Sequence, residues 1–152
     1  MNAQAALLFV HVVAVVVWVG GMFFAYMCLR PVAIDLDPPQ RLRLWRGVFA
    51  RFFSWVWPAV LVIAASGLAM FWQHGFRGAP RGWHLMLASG VVMIAIYVYV
   101  ATVPYAALKR AVAAEDWRAG GAALNRIRQM VATNLALGFL TIAFATLGVA
   151  FF

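Results

Sequence analysis

The sequence predicts an all-α integral membrane protein, a single domain of residues 1–152 that crosses the bilayer four times. Three observations carry that prediction. Hydrophobic residues make up 66% of the chain and charged residues only 11%, against about 25% charged residues in soluble domains. A core built from this chain could not hide so much apolar surface, so lipid must cover it. Four long apolar runs are each separated by short polar segments. Basic residues collect in those segments and avoid the runs.

The runs cover about residues 5–29, 52–72, 83–103 and 130–152. Each is long enough as a helix to cross about 30 Å of hydrocarbon at about 1.5 Å per residue. Helix is the only open choice, because lipid offers no partner to a free N–H or C=O. Arg30 and Pro31 close the first run, and Pro104 closes the third. Between the first two runs, residues 40–53 form a basic, amphipathic stretch preceded by Pro38 and Pro39. Proline suits a first helical turn, so this stretch is expected to be helical and to run into the second span. Pro58 is expected to kink that span about one turn inside. Asp116 is placed to cap a helix leading to the fourth span.

The charge pattern sets an expected orientation. Arg30, Arg41, Arg43, Arg46 and Arg51 lie between spans one and two, and Lys109, Arg110, Arg118, Arg126 and Arg128 between spans three and four. Only Arg77 and Arg81 lie between spans two and three. The positive-inside rule makes the two richer loops cytoplasmic. Both termini and the middle loop then face the periplasm of a bacterial inner membrane. The net charge of +8 is thereby read as a topology signal, and nucleic acid is not an expected partner. The bilayer is. The first six residues carry no basic side chain, so the first run is expected to stay as a membrane helix rather than be cleaved as a signal.

That topology gathers the three histidines at one side. His11 lies in the outer half of span one, His74 ends span two and His84 begins span three. Imidazole is a frequent ligand of metals and of haem iron. His11 is the strongest candidate, because an ionisable residue within a span is rare and functional by default. His74 and His84 flank the interface, where a histidine also sits well among headgroups. His11, Ala14, Trp18, Gly21 and Ala25 recur at helical spacing along one face. Small residues there admit a neighbouring helix or a flat cofactor. A second small-residue stripe in span four holds Asn134, Gly138 and Thr141.

Met70, Met86 and Met93 lie on spans two and three, and thioether with imidazole suits Cu(I) as well as haem. The four acids, Asp35, Asp37, Glu115 and Asp116, all lie in the cytoplasmic loops. Carboxylate proton relays and hard-cation sites within the spans are therefore not expected. The single cysteine, Cys28, excludes an intrachain disulfide and a cysteine-built zinc site. Walker, Rossmann, Ser-His-Asp and HExxH patterns are absent.

The first span, read as His11-x6-Trp18-x2-Gly21 with Arg30-Pro31 after it, resembles the opening helix of two groups. They are the CopD-like copper-resistance protein D family and the HemJ-type protoporphyrinogen oxidases, both small bacterial inner-membrane helical proteins. The order of spans and the segment Arg126-Ile127-Arg128 with Asn134 and Gly138 also look CopD-like. The HemJ resemblance implies b-type haem with the residue at the place of His11 as ligand. It also implies a lysine near the start of the third span. Here Trp83-His84-Leu85-Met86 stands in its place, which argues against protoporphyrinogen oxidation and leaves haem binding open.

The leading expectation from sequence is thus a b-type haem protein. His11 and His84, or His74, would be the ligands, with Trp18 and Gly21 lining the haem and Arg77 and Arg81 pairing with its propionates. Its role would be electron transfer as a membrane oxidoreductase, with quinone or another redox partner. Copper binding or transport through His11, His74, His84 and nearby methionines is the alternative, and a cofactor-free assembly subunit is the third. Orientation is directly testable. A reporter active only in the cytoplasm should be silent when fused after Phe152, and activity would invert the topology.

Overall fold

A computed structural model describes residues 3–148. It contains four long apolar helices of a length that crosses a membrane: Ala3–Ala33, Pro38–His74, Arg81–Ala113 and Trp117–Thr146. We label Ala3–Ala33 α1 and Pro38–His74 α2. The third long helix divides into α3, Arg81–Thr102, and α4, Pro104–Ala113, and α5 is Trp117–Thr146. The protein is all-helical, and its four apolar runs lie on these helices. Residues 149–152 of the fourth run and the chain ends, with their expected periplasmic location, lie outside the described residues.

Local chemistry explains where the helices begin and end. Pro104 has no N–H to donate, so the ladder of α3 stops at the Val103 N–H to Tyr99 carbonyl bond of 2.9 Å, and α4 restarts with proline in its first turn. The Asp116 carboxylate caps α5, accepting from the Ala119 N–H at 2.9 Å. Just before it Glu115 takes φ 55°, a left-handed conformation more often given to glycine. The Asp116 N–H closes back on the Ala111 carbonyl at 2.9 Å, and the Glu115 side chain meets Arg43 of α2 at 3.2 Å.

One sequence expectation changes in detail. Arg30-Pro31 does not end the first helix, which continues to Ala33. Residues Phe24–Leu29 are wound as π-helix immediately before it. The wider turn opens the hydrogen-bond ladder where Pro31 has no N–H to offer and its ring needs room. Residues 40–53 do run into the second span, and α2 becomes one helix of 37 residues, about 55 Å long at 1.5 Å per residue. It outreaches the hydrocarbon core, so its basic first turns project beyond it.

Helix α1 lies along α2, and α3 lies along α5. The two pairs join through a file of aromatic rings. The Tyr97 ring of α3 meets Trp18 of α1 at 5.8 Å, and Phe53 and Trp57 of α2 at 5.7 and 5.1 Å, all edge-on. Phe53 continues to Tyr105 of α4 at 5.0 Å. Large apolar side chains such as Phe9, Phe24, Leu61, Val91 and Phe139 point outward, as expected where lipid is the solvent.

Gly82 at the start of α3 packs closely on the end of α5. A Cβ there would stand 2.5 Å from the Phe144 carbonyl oxygen and 2.9 Å from the Gly148 carbonyl carbon. Backbone cannot give way as a side chain can. Gly82→Ala should therefore cost about 1–3 kcal/mol by overpacking. Gly90→Ala, with open space at its Cβ, should be neutral or stabilising. Thermal unfolding of the two purified variants in detergent compares them directly, and equal stabilities would refute the close approach.

Candidate functional site between helices one and two

Antiparallel packing of α1 on α2 brings His11 against Ser66 and Gly67. Its Nδ1 lies 2.8 Å from Ser66 Oγ. A Cβ on Gly67 would be 3.4 Å from His11 Cε1, ordinary van der Waals contact, so the imidazole packs beside α2 here. Ser66 is buried, with 3% of its surface exposed. It was not singled out in the sequence, although a Ser-Gly pair inside an apolar span was the available signal.

Ser66 also decides which nitrogen of His11 carries the proton. The serine hydroxyl donates to the Val62 carbonyl at 2.5 Å, with the Ile63 carbonyl at 3.3 Å. Its only hydrogen is thereby spent, so Oγ accepts from His11 Nδ1–H. A neutral imidazole has one N–H, and Nε2 is left with its lone pair. This is the arrangement by which an outer hydrogen bond prepares a histidine to bind a metal through its other nitrogen.

His74 lies two turns further along α2. Its Nδ1 donates to the Met70 carbonyl at 3.1 Å, and its Nε2 accepts from the Gln4 side-chain amide of α1 at 3.4 Å. The ring stands edge-on to Trp83 at 4.9 Å. Ser66, Met70 and His74 recur every four residues and so share one face of α2. Along that face the backbone of His74 stands about 12 Å from that of Ser66, which holds His11, from a rise of 1.5 Å per residue. The buried Met70 lies on the face between them.

His84 is placed differently. Its Nδ1 lies 3.2 Å from the Pro80 carbonyl and its Nε2 3.1 Å from the Phe76 carbonyl. Its ring packs edge-on against Phe71 at 5.6 Å. Both nitrogens thus face the loop that joins α2 to α3. Arg77 in that loop and Arg81 at the start of α3 are exposed. Trp18 is buried in the aromatic file, and the place where Gly21 would carry a Cβ is taken by the Phe52 ring. Among the described residues no three of His, Cys, Asp and Glu come together as a metal site.

The end segment singled out in the sequence serves packing in part. Ile127 is fully buried, and Gly138 receives Val19 and Met93. Asn134 is buried, and its Oδ1 has no hydrogen-bond partner.

A family model described as copper resistance protein D matches residues 46–148. The chain belongs to this family. The match begins within α2 and runs through α5, so it includes Ser66, Met70, His74 and His84 and leaves out His11 on α1. No curated protein and no solved structure matches the chain significantly. The CopD family member described here therefore carries its best-prepared imidazole on a helix outside the matched segment, and orients it from a serine inside that segment.

Ser66→Ala tests the assignment of the His11 tautomer. In the wild type, nitrogen NMR of labelled imidazole should show the proton on Nδ1. The variant should shift the ring toward the Nε2–H form. It should also lose about 1 kcal/mol of stability, the usual net worth of one buried hydrogen bond. A wild-type ring protonated on Nε2 would overturn the assignment.

Proposed function

We propose that this CopD family member binds Cu(I) at the histidine end of the bundle and leads it into the membrane along the seam of α1 and α2. The observation that supports this most is the hydrogen-bond chain from His11 through Ser66 to Val62, which directs the ring proton to Nδ1 and leaves Nε2 its lone pair. His74 presents the same nitrogen toward α1. Soft imidazole and thioether donors suit Cu(I), and the seam holds His74, Met70 and His11 in order from the end inward. All four carboxylates lie at the opposite, basic end, so the seam has no carboxylate that would favour Mg²⁺ or Ca²⁺. On the positive-inside reading the histidine end faces the periplasm of a bacterial inner membrane. Copper is then cargo taken from that side.

A second reading rests on the same atom. A free imidazole nitrogen within a span also suits the iron of haem b, and a redox role with quinone would follow. In this structure the space beside Gly21 is taken by Phe52, and both nitrogens of His84 face carbonyls. Haem binding would therefore depend on His11 without the expected partners.

One preparation separates the two. Purified protein titrated with Cu(I) against a chromophoric chelator should bind copper. His11→Ala should weaken that binding by at least tenfold, and Ser66→Ala by about 10- to 100-fold, the usual effect of losing a partner that orients a ligand. A reduced-minus-oxidised spectrum with haem bands that vanish in His11→Ala would move the function to the second reading. Copper affinity unchanged in His11→Ala, with a colourless protein, would defeat both.

A further inference from the structure

At the basic end, a cleft of about 210 Å³ opens between the end of α1, the start of α2 and the first turns of α5. Arg30, Arg41 and Arg128 all line it, and no acidic residue does. Trp45, Trp117 and Leu124 form apolar walls. Three guanidinium groups from three helices thus share one opening without a counter-charge. Among the described residues the ion pair found is Arg43 with Glu115, and Asp116 is occupied in capping α5. Arg41 spends one donor on the Ile34 carbonyl at 3.2 Å, and Arg30 lies over the Tyr26 ring at 4.8 Å. The Arg128 Nε atom is buried and has no hydrogen-bond partner.

We propose that this cleft binds a phosphate group, held by Arg30, Arg41 and Arg128. Guanidinium forks match phosphate oxygens bidentately, and three like charges lining one cleft repel one another until an anion meets them. The surroundings favour a phosphate carried by an anionic lipid. A second, small hollow of about 20 Å³ shares Arg30, Trp45 and Arg128 with the cleft and extends past Phe49 toward Val131. Its lining is otherwise apolar, apart from Tyr26, and it follows α5 into the span. The hollow has room for about one water-sized group, so a lipid held by its phosphate at the arginines would keep its acyl chains in the surrounding bilayer. Basic pockets between spanning helices are suited to such lipids. Free inorganic phosphate shares the charge chemistry but is not concentrated at the membrane surface where the cleft lies.

The test is thermal unfolding of the full chain, delipidated in neutral detergent, with three additives: phosphatidylglycerol, phosphatidylcholine and inorganic phosphate. Phosphatidylglycerol should raise Tm by several degrees over phosphatidylcholine, since a ligand of the folded state stabilises it by mass action. Arg128→Gln should abolish that difference. Arg41→Gln, at the rim, should reduce it and serves as the second variant if Arg128→Gln does not fold. Arg110→Gln, exposed and outside the cleft lining, should leave it intact. An equal rise with inorganic phosphate alone would support the phosphate site and assign it to a soluble anion. No rise with either, or an equal loss in Arg110→Gln, would overturn the proposal, because the arginines would then act only as surface charge.

Discussion

Tyr97 is the contact on which the assembly of the bundle depends. In lipid the space between helices is as apolar as the helices themselves, so burial alone does not drive them together. Close packing and specific interhelical contacts must do so. Tyr97 lies on α3, yet its ring meets Trp18 of α1 and both Phe53 and Trp57 of α2 edge-on, and its hydroxyl reaches the Phe53 carbonyl at 3.5 Å. Edge-to-face rings add to area burial by about 0.5–1.5 kcal/mol per pair. One side chain therefore couples the α1–α2 pair to the α3–α5 pair. Phe53 passes the contact on to Tyr105 and so to α4.

The candidate site is a consequence of that junction. With Trp18 held in the aromatic file, α1 keeps a fixed register on α2, and His11, seven residues before Trp18, meets Ser66. A second polar contact, Thr141 with Ser89 at 2.7 Å, ties α5 to α3 in the other pair. Each hydroxyl of this kind also donates to, or lies against, a carbonyl of its own helix. Polar side chains in the spans thus satisfy themselves locally and still offer an oxygen to a neighbour. For Ser66 that spare oxygen orients an imidazole. For Ser89 and Thr141 it joins two helices.

The two ends of the bundle carry opposite chemistry. One end holds the three histidines and two arginines, and the other holds ten of the twelve basic residues and every carboxylate. The basic end carries cations of the kind that suit headgroup phosphates, while the histidine end offers imidazole donors. No carboxylate at the histidine end competes there with softer ligands.

The sequence by itself determined the fold class, the number of spans and the grouping of the charges. These follow from composition and periodicity, since lipid leaves the backbone no alternative to helix. Asp116 as a cap and residues 40–53 as a helix leading into a span were legible for the same reason, as local rules that act within a few residues. His11 stood out because an ionisable group within a span is costly. Tertiary structure decided what surrounds it. Ser66 lies 55 positions away from His11, and no local pattern shows that the two helices meet at that register or that the serine proton is already spent. The space beside Gly21 looked open for a cofactor in sequence, yet it belongs to Phe52, because a stripe of small residues does not say which neighbour fills it. His84 shared a side with His11 by topology, but its nitrogens turn to the loop carbonyls. Which face of a helix meets which partner is set by interhelical packing, and packing is a property of the assembled bundle.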